Sequence, residues 1–333
     1  MKKIFIAGQE GMVGSAILHI IKKNKSFNVI NCNRKDLDLT NQSLVDKWFQ
    51  KNKPEIVINA AGRVGGILDN STHQSDYLYT NAMIGLNLIN SSLKHEIKQF
   101  INLGSACIYP KNIKQPIKEE YLLSSKLEST NEGYALAKIA VLKYCQYLKQ
   151  KYNKNFISLQ PANLYGEGDN FDLKASHVIP ALVKKFINAK EKKLKSVEIW
   201  GSGKVKREFL NVKDLAGAII FMLKKNFHDD YLNVGSGEDI SIKDLAKIIS
   251  KITNYKGKIF FNKSFPDGVK KRILNSIHPI NKTEILNLDE CMNRVLAKPL
   301  ISKRTHPSFN TSSMDGYAIT NTDSKKTPIK LKL

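Results

Sequence analysis

The sequence predicts an α/β protein, a Rossmann-like doubly wound parallel sheet followed by a smaller C-terminal substrate domain. The first observation is that short apolar runs alternate with longer segments of helical spacing between residues 3 and 159. Alternation of this kind is typical of parallel strands joined by crossover helices. The second is a glycine-rich turn, residues 8–14, between the first apolar run and the first helical segment. Dinucleotide-binding folds carry such a turn at the same place, so the two observations agree.

The elements of this sheet follow from their periodicity. Short apolar runs predict strands at 3–7, 29–31, 56–58, 100–103 and 156–159. Apolar residues at helical spacing predict helices at 13–21, 44–50, 76–93 and 134–152. The run Ile56–Ile58 is wholly apolar, as expected of a strand covered by helices on both faces.

After Asn170 the pattern loosens, and a smaller unit is predicted. Its elements are a helix at 178–187, a strand at 197–200, a helix at 209–223, a strand at 231–234 and a helix at 242–252. We predict an NAD(P)-binding domain, a substrate-binding part and a foreign-looking tail, at 1–170, 171–275 and 276–333. Residues 209–240 are expected to return to the first domain. The polar segment 320–333 is expected to be disordered.

The composition is that of an ordinary globular protein with a large positive charge. The 333 residues are 42% hydrophobic and 25% charged, and 53 Lys and Arg against 30 Asp and Glu give a net charge of +23. The basic residues are dispersed and lack interleaved aromatic residues, so we predict a solvated surface rather than nucleic-acid binding. No apolar run approaches the length needed to cross a membrane.

The cysteines indicate the compartment. Cys32, Cys107, Cys145 and Cys291 are scattered, with no CxxC pair and no spacing typical of a metal site. No signal-peptide pattern precedes the first strand. These features predict a protein of the reducing cytoplasm without a structural disulfide or a bound metal.

The glycine turn is predicted to bind the diphosphate of a nicotinamide cofactor. Gly8, Gly11 and Gly14 form a GxxGxxG pattern, in which glycine allows a tight turn and close approach of the backbone to phosphate. Met12 and Val13 then begin the helix whose N-terminus faces that negative charge. A glycine triplet alone is a weak signal, and a packing turn is the alternative. Its position between strand and helix favours the cofactor site.

The ends of the second and third strands indicate which cofactor is bound. NAD-specific sites carry an acidic residue after the second strand to hold the ribose hydroxyls, whereas this chain has Arg34 in that region. An arginine there can meet a 2′-phosphate, which favours NADP. Ala60 and Ala61, after the third strand, are small enough for a dinucleotide to lie close.

Tyr134 and Lys138 are the candidate catalytic pair. Their i to i+4 spacing places the tyrosine hydroxyl and the lysine amine on one face of a helix. A nearby ammonium favours the phenolate, so we expect the pKa of Tyr134 to fall towards working pH. Such a tyrosine exchanges a proton with a carbonyl oxygen while hydride moves to or from the carbonyl carbon. Ser105, at a predicted strand end, can hydrogen-bond the same oxygen.

At these residues the sequence resembles the extended short-chain dehydrogenase/reductase family. Longer segments narrow the resemblance to the GDP-L-fucose synthases, from residue 3 to about residue 275. The segments that carry it are 59–67, 103–110, 161–171, 176–180, 200–203, 207–210 and 266–268.

The resemblance implies an epimerase-reductase that converts GDP-4-keto-6-deoxy-D-mannose to GDP-L-fucose with NADPH. Cys107 would be the base and His177 the acid that invert C3 and C5. Tyr134 would then supply a proton while hydride reaches C4, with Ser105 polarising the keto oxygen and Lys138 holding the ribose. Taken alone, Cys107 is more typical of a small buried residue and His177 of a capping residue. The surrounding motifs favour the catalytic roles.

The resemblance also implies which residues contact the two ligands. Further cofactor contacts are implied at Leu103, Gly104, Lys138, Pro161, Asn163, Leu164 and His177. Contacts with the GDP-sugar are implied at Lys185, Trp200 and Arg207. A homodimer is implied that pairs the helices at 76–93 and 134–152.

Two features depart from that family. Glu10 stands in the glycine turn where the family commonly has an arginine for the 2′-phosphate, so use of NADH beside NADPH stays open. After residue 275 the family's closing strand and helix do not appear, and residues 288–318 resemble the start of a molybdopterin molybdenumtransferase. That segment is too short for the transferase's own site. Without the closing elements, we expect uncovered apolar surface, lowered stability and weak substrate binding.

Other functions stay open at this stage. A 4,6-dehydratase acting on another nucleotide sugar would want an Asp-Glu pair after Ser105, where this chain has Ala106 and Cys107. A simple 4-epimerase needs no pair such as Cys107 and His177. The remaining alternative is an inactive fusion product that keeps cofactor binding.

Overall fold

The structure is a computed structural model, and it describes residues 1–23, 26–172, 176–224, 230–264, 283–286, 295–296 and 329–332. The chain divides into two compact units, Met1–Asn275 and Ser276–Leu333.

The first unit alternates strands and helices over most of its length. Its strands are β1 Lys2–Ala7, β2 Phe27–Ile30, β3 Ile56–Asn59, β4 Gln99–Leu103, β5 Asn155–Pro161, β6 Asn163–Tyr165, β7 Ser196–Trp200, β8 Lys206–Asn211, β9 Tyr231–Val234, β10 Asp239–Ser241 and β11 Lys258–Asn262. Its α-helices are α1 Met12–Lys22, α2 Gln42–Asn52, α3 Ile67–Thr72, α4 Gln74–Lys94, α5 Glu132–Tyr152, α6 Val178–Glu191, α7 Val212–Leu223 and α8 Ile242–Ile252.

The central sheet has six strands in the order β2-β1-β3-β4-β5-β9. Every neighbouring pair is parallel, with Phe5 opposite Val57 and Val57 opposite Phe100. Side chains alternate between the two faces along a strand, so Ile4 and Ile6 of β1 face one side and Phe5 faces the other.

Helices cover both faces of this sheet. On one face, α1 and α7 contribute Ile17, Ile21, Leu215 and Ile219 to the core that contains Ile4. On the other face, α2, α4 and α5 contribute Val45, Phe49, Leu88, Val141 and Cys145. The predicted doubly wound, Rossmann-like α/β class is therefore confirmed.

Two small sheets lie beyond the carboxyl end of β5. Strands β10, β8 and β6 form one sheet in that order, and β11 pairs in parallel with β7. Helices α6 and α8 pack on them around Phe186, Ile199 and Leu245. None of the helices that the described residues form is both long enough and apolar enough to cross a membrane.

Most predicted elements match, and one helix begins at a different residue. The helix at 242–252 and the strand at 231–234 have the predicted bounds, and β9 pairs with β5 at the sheet edge. The predicted helix at 209–223 begins instead at Val212, because Phe209–Asn211 completes β8. Glu208 and Leu210 of β8 are buried in alternation, and the Asn211 side chain accepts a hydrogen bond from the Lys213 N–H and so caps α7.

The second unit contains three short described strands, Thr283–Leu286, Val295–Leu296 and Ile329–Lys332, in one antiparallel sheet. Within the segment predicted to be disordered, residues 329–332 form the last of these strands, while 320–328 and 333 lie outside the described residues. Hydrogen bonds to the other two strands hold this segment extended.

Candidate active site

The glycine turn is shaped by close backbone contacts. Gly8 has a φ of +80°, and a Cβ there would lie 2.7 Å from the Cα of Ala61. A Cβ on Gly14 would lie 2.0 Å from the carbonyl oxygen of Gly8. The Gly11 N–H donates to that same oxygen at 3.0 Å. Only glycine fits at positions 8 and 14. The absence of side chains there leaves the surface above the turn open to a dinucleotide, as the predicted cofactor site requires.

The first turn of α1 is suited to an anion. Gly11 is its N-cap, so no side chain caps the helix, and no acidic residue lies in the first turn. Met12 and Val13 are partly buried beside it. Uncapped N–H groups at a helix N-terminus carry partial positive charge and point at a bound phosphate.

The other predicted cofactor residues lie at the same edge of the sheet. Strands β1, β3, β4 and β5 are neighbours, so their carboxyl ends meet there. The predicted residues brought to this edge or just beyond it, in β6, are Ala60, Ala61, Leu103, Gly104, Pro161, Asn163 and Leu164. The Ala60 N–H donates to the Ala7 carbonyl oxygen at 3.0 Å, which holds the loop after β3 against the glycine turn.

Two charged side chains lie in the loops that follow β1 and β2. Arg34 and Glu10 are both exposed, and β2 pairs directly with β1. The loops after these strands are therefore adjacent, with opposite charges on a solvated surface.

Ser105, Cys107 and Tyr134 form one contact group. The Ser105 side chain hydrogen-bonds Tyr134, and its oxygen also accepts from the Cys107 N–H at 3.2 Å. Ser105 thereby caps the 3₁₀ turn Ala106–Ile108 that carries Cys107. The ring of Tyr77 meets that of Tyr134 edge-on at 6.2 Å. The turn after β4 and the start of α5 therefore bring the predicted thiol, hydroxyl and phenol together.

The predicted fall in the pKa of Tyr134 is wrong in this structure. Burial raises that pKa above its ordinary value, the nearby Cys107 raises it further, and the hydrogen bond from Ser105 only partly offsets the two. Desolvation disfavours the charged form of any group, and it is the largest cause of this shift. Tyr134 therefore keeps its proton at neutral pH.

Lys138 is held away from the phenol. Its Nζ donates to the carbonyl oxygen of Leu103 at 2.9 Å and lies 5.7 Å from the centre of the Tyr134 ring. Burial lowers the pKa of Lys138 to about 8. The amine thus lies on the predicted helix face and donates a hydrogen bond to the end of β4.

His177 lies on a different element, at the N-cap of α6. Its ring makes no capping hydrogen bond, and its side chain is 45% exposed. Its Nδ1 atom lies 4.0 Å from an oxygen of Asp169, whose side chain is only 6% exposed. Asp169 was not singled out from the sequence, although it lies within the segment 161–171.

The three predicted substrate residues lie in the small-sheet region. The Nζ atom of Lys185 in α6 donates to the carbonyl oxygen of Glu198 at 3.1 Å and lies 5.0 Å above the ring of Trp200. Burial lowers the pKa of Lys185, and Glu198 opposes that shift. Trp200, at the end of β7, is 53% exposed, and Arg207 lies in β8. Lys185 and Trp200 thus form one cationic and aromatic surface.

Sequence reasoning missed Gln160, which lies fully buried beside Ser105. Its oxygen accepts from the Ser105 N–H at 2.9 Å. The local signal was a pair of polar residues, Ser158 and Gln160, alternating with the apolar residues of β5. Among the described residues, no three His, Cys, Asp or Glu side chains gather where a metal ion could bind.

The glycine turn follows β1, and Ser105 follows β4 beside Tyr134 and Lys138 of α5. Together these features define a nicotinamide-dependent enzyme. The sequence model of the NAD dependent epimerase/dehydratase family matches residues 4–235, and the chain belongs to this family.

Two related proteins and one solved structure are similar to this chain over most of its length. GDP-L-fucose synthase of Sinorhizobium fredii is 46% identical over 275 residues, which cover 83% of this chain and 87% of that protein. GDP-L-colitose synthase of Yersinia pseudotuberculosis is 39% identical over 277 residues, covering 82% and 89%. The structure of a GDP-mannoheptose C4 reductase from Campylobacter jejuni with NADP bound has a TM-score of 0.74 at 34% identity, covering 82% and 90%. The predicted resemblance to GDP-L-fucose synthases is confirmed.

The C-terminal part is similar to a different protein. Residues 266–331 match the sequence model of the MoeA N-terminal region (domain I and II). The predicted resemblance of this part to a molybdopterin molybdenumtransferase is confirmed. Apart from Val295–Leu296, residues 288–318 lie outside the described residues, as do 266–268 and Cys291.

Proposed function

We propose that the chain is a GDP-L-fucose synthase. It inverts C3 and C5 of GDP-4-keto-6-deoxy-D-mannose and then reduces C4. The observation that carries this proposal is the contact group of Ser105, Tyr134 and Cys107. A simple C4 reductase or 4-epimerase uses the serine and the tyrosine, whereas a thiol beside them adds a group for proton transfer at carbon.

The epimerisation is assigned to Cys107 and His177. The 4-keto group acidifies the protons on both neighbouring carbons, so a base can remove one of them. Cys107 takes that proton, and His177 returns a proton from the opposite face. One carboxylate oxygen of Asp169 lies 4.0 Å from the Nδ1 atom of His177. Each carbon is inverted because the proton leaves from one face and arrives at the other.

The reduction is assigned to Tyr134, Ser105 and Lys138. The glycine turn of Gly8, Gly11 and Gly14 would hold NADPH, which would supply the hydride for C4. Tyr134 donates its proton to the C4 oxygen, since its phenol is protonated at neutral pH. Ser105 hydrogen-bonds the same oxygen, and Lys138 holds the end of β4 and the cofactor ribose.

The nucleotide sugar is assigned to Lys185, Trp200 and Arg207. The exposed Trp200 ring offers a stacking surface, and the two basic groups offer charge to the diphosphate. The net charge of +23 agrees with an anionic substrate.

We also propose a homodimer that pairs α4 and α5 of two copies. These helices pack tightly within one copy, since a Cβ on Gly85 would lie 2.3 Å from Val141. Leu78, Tyr79 and Tyr147 on the same helices are exposed and available for a second copy. Sedimentation of the wild type and of Tyr79→Lys tests this, and a monomeric wild type at micromolar concentration would contradict it. Cys32, Cys107 and Cys145, the cysteines among the described residues, form no disulfide, and this supports a cytoplasmic location.

The decisive experiment adds GDP-4-keto-6-deoxy-D-mannose and NADPH or NADH to the full chain in D₂O. Nicotinamide absorbance reports reduction, and NMR of the product reports its configuration and deuterium content. GDP-L-fucose carrying deuterium at C3 and C5 is expected. Reduction without deuterium at these carbons would identify a C4 reductase instead. Cofactor binding without turnover would identify an inactive fusion product.

A further inference from the structure

Four polar side chains lie buried side by side in the central sheet. Asn59, Asn102, Ser158 and Gln160 are at most 2% exposed, although β3, β4 and β5 are otherwise largely apolar. Asn59 lies opposite Asn102, and Asn102 lies opposite Ser158, so three of them form a cross-strand row. Burying a polar group destabilises the folded state unless the group is hydrogen-bonded. A row of buried polar side chains therefore indicates that their hydrogen bonds have a role at this position.

Hydrogen bonds run through this row without interruption. Asn59 Nδ2 donates to Asn102 Oδ1 at 3.0 Å, and Asn102 Nδ2 donates to Ser158 Oγ at 2.7 Å. Gln160 Nε2 donates to the same Ser158 oxygen at 3.1 Å. The hydrogen bonds of the row therefore fix the orientation of the side-chain amides of Asn59 and Gln160.

The two ends of the row hold two different functional loops. At one end, the Ala61 N–H donates to Asn59 Oδ1 at 3.2 Å, in the loop predicted to line the cofactor. At the other end, the Ser105 N–H donates to Gln160 Oε1 at 2.9 Å. The row therefore connects the cofactor loop to the serine that hydrogen-bonds Tyr134.

Gln160 also fills the space beside Gly104. A Cβ on Gly104 would lie 1.9 Å from Gln160 Oε1, so the glutamine oxygen is pressed against the backbone before Ser105. The Gly104 N–H itself donates to the Leu159 carbonyl oxygen at 2.7 Å. Gln160 thus fixes the position of the Ser105 backbone, and the hydrogen bond from the Cys107 N–H fixes the direction of the Ser105 side-chain oxygen.

We propose that Gln160 is a positioning residue for Ser105, and that it acts on the C4 reduction by holding the serine hydroxyl at the substrate oxygen and at Tyr134. This inference rests on the proposed function for its reaction. It concerns the step that Ser105 serves and not the proton transfers at carbon. Loss of the contact should therefore lower kcat for reduction while leaving KM and deuterium exchange nearly unchanged.

The test uses Gln160→Met, which keeps the length of the side chain but cannot accept the Ser105 N–H. We expect kcat for reduction to fall about tenfold, as for loss of one oriented hydrogen bond, with KM and NADPH affinity within twofold. In a Ser105→Ala background, the same Gln160→Met change should have no further effect on kcat. An equal fall in both backgrounds would overturn the proposal, because Gln160 would then act on general stability.

Gln160→Glu is the conservative rescue. A protonated carboxyl can accept from the Ser105 N–H and donate to Ser158, whereas the ionised form cannot donate. Burial favours the neutral form, so the activity of this variant relative to wild type should rise as the pH falls. A ratio that is flat with pH, or that falls on acidification, would show that the bond to Ser158 does not orient the residue-160 side chain towards Ser105, and would contradict positioning by the row.

A readout without turnover separates this inference from the proposed function. Hydrogen–deuterium exchange at the Ser105 amide should quicken in Gln160→Met, and a lesser change is expected in the control Ser158→Ala, which keeps the Gln160 to Ser105 bond. Unchanged exchange in Gln160→Met would overturn the inference. Absence of turnover in the wild type would overturn the proposed function alone.

Discussion

The Nζ atom of Lys138 donates a hydrogen bond to the carbonyl oxygen of Leu103 at 2.9 Å. This bond joins α5 to the carboxyl end of β4, two residues before Ser105. Because Tyr134 lies one turn earlier on α5, the same bond fixes the distance between the tyrosine and the serine. The amine is almost fully buried, which lowers its pKa to about 8.

Lys138→Met should change how stability depends on pH. Between pH 8 and 10.5 the unfolded chain binds a proton at this lysine that the folded chain does not. The wild type should therefore gain stability relative to the variant as the pH rises through this window, by up to about 1.4 kcal/mol per pH unit. Urea unfolding at pH 7.5, 8.5 and 9.5 measures this. The exposed Lys151→Met is the matched control, and a wild-type advantage independent of pH would contradict a buried, shifted amine.

Tyr134→Phe should abolish reduction and spare exchange at carbon. The variant lacks the proton donor for the C4 oxygen, so kcat for reduction should fall about 10²- to 10⁴-fold. Cys107 and His177 remain, so deuterium should still enter the substrate from D₂O, as measured by NMR. Tyr79→Phe, on an exposed site of α4, is the control. Parallel loss of exchange and reduction would show that Tyr134 serves both steps.

Glu10→Arg should strengthen NADPH binding selectively. Glu10 and Arg34 are exposed on adjacent loops, so reversing one charge turns a balanced surface into a basic one. The Kd for NADPH should fall about tenfold, while the Kd for NADH changes less than twofold. Glu10→Gln should give an intermediate Kd for NADPH. Equal changes for both cofactors, measured by fluorescence titration, would show that Glu10 does not face the 2′-phosphate.

Trp200→Ala should weaken substrate binding more than it slows the chemistry. The ring is 53% exposed and lies under the Lys185 amine, so its removal deletes a stacking surface without opening the core. We expect KM for the nucleotide sugar to rise about tenfold and kcat to stay within twofold. Trp200→Phe should restore most of the loss. A fall in kcat with KM unchanged would place Trp200 at the reacting carbons instead.

Ile252→Lys should reduce self-association without destabilising the fold. Ile252 is 77% exposed, and with Ile187 it lines an apolar groove of about 610 Å³ between α6 and α8. Exposed apolar surface of this kind favours self-association, which a charge in the groove should weaken. The free energy of unfolding should change by less than about 0.5 kcal/mol, and light scattering should show less aggregate.

The control for this change is Ile249→Lys, one turn away on the same helix. Ile249 is only 5% exposed, so a charge there should destabilise the chain by several kcal/mol, on the order of 3 to 5. If Ile252→Lys destabilised the chain to a similar extent, the groove would be part of the folded core and not an uncovered surface.

Local patterns in the sequence determined much of the fold and part of the site. Strand and helix periods depend on neighbouring residues, so they predicted the main sheet, the glycine turn and the shared helix face of Tyr134 and Lys138. The helix predicted from Phe209 started too early because the apolar residues Phe209 and Leu210 at the end of β8 lead into α7 without a glycine or proline between them.

The tertiary structure alone decided the chemistry of those residues. The pKa values of Tyr134 and Lys138 depend on burial by segments far away in the chain. For Tyr134 this burial raises the pKa, whereas the spacing of the pair had predicted a fall. Gln160 and Ser105 are 55 positions apart, and only the parallel register of β4 and β5 makes them neighbours. Periodicity reports which face of an element is buried, whereas desolvation and cross-strand contacts arise from the assembled sheet.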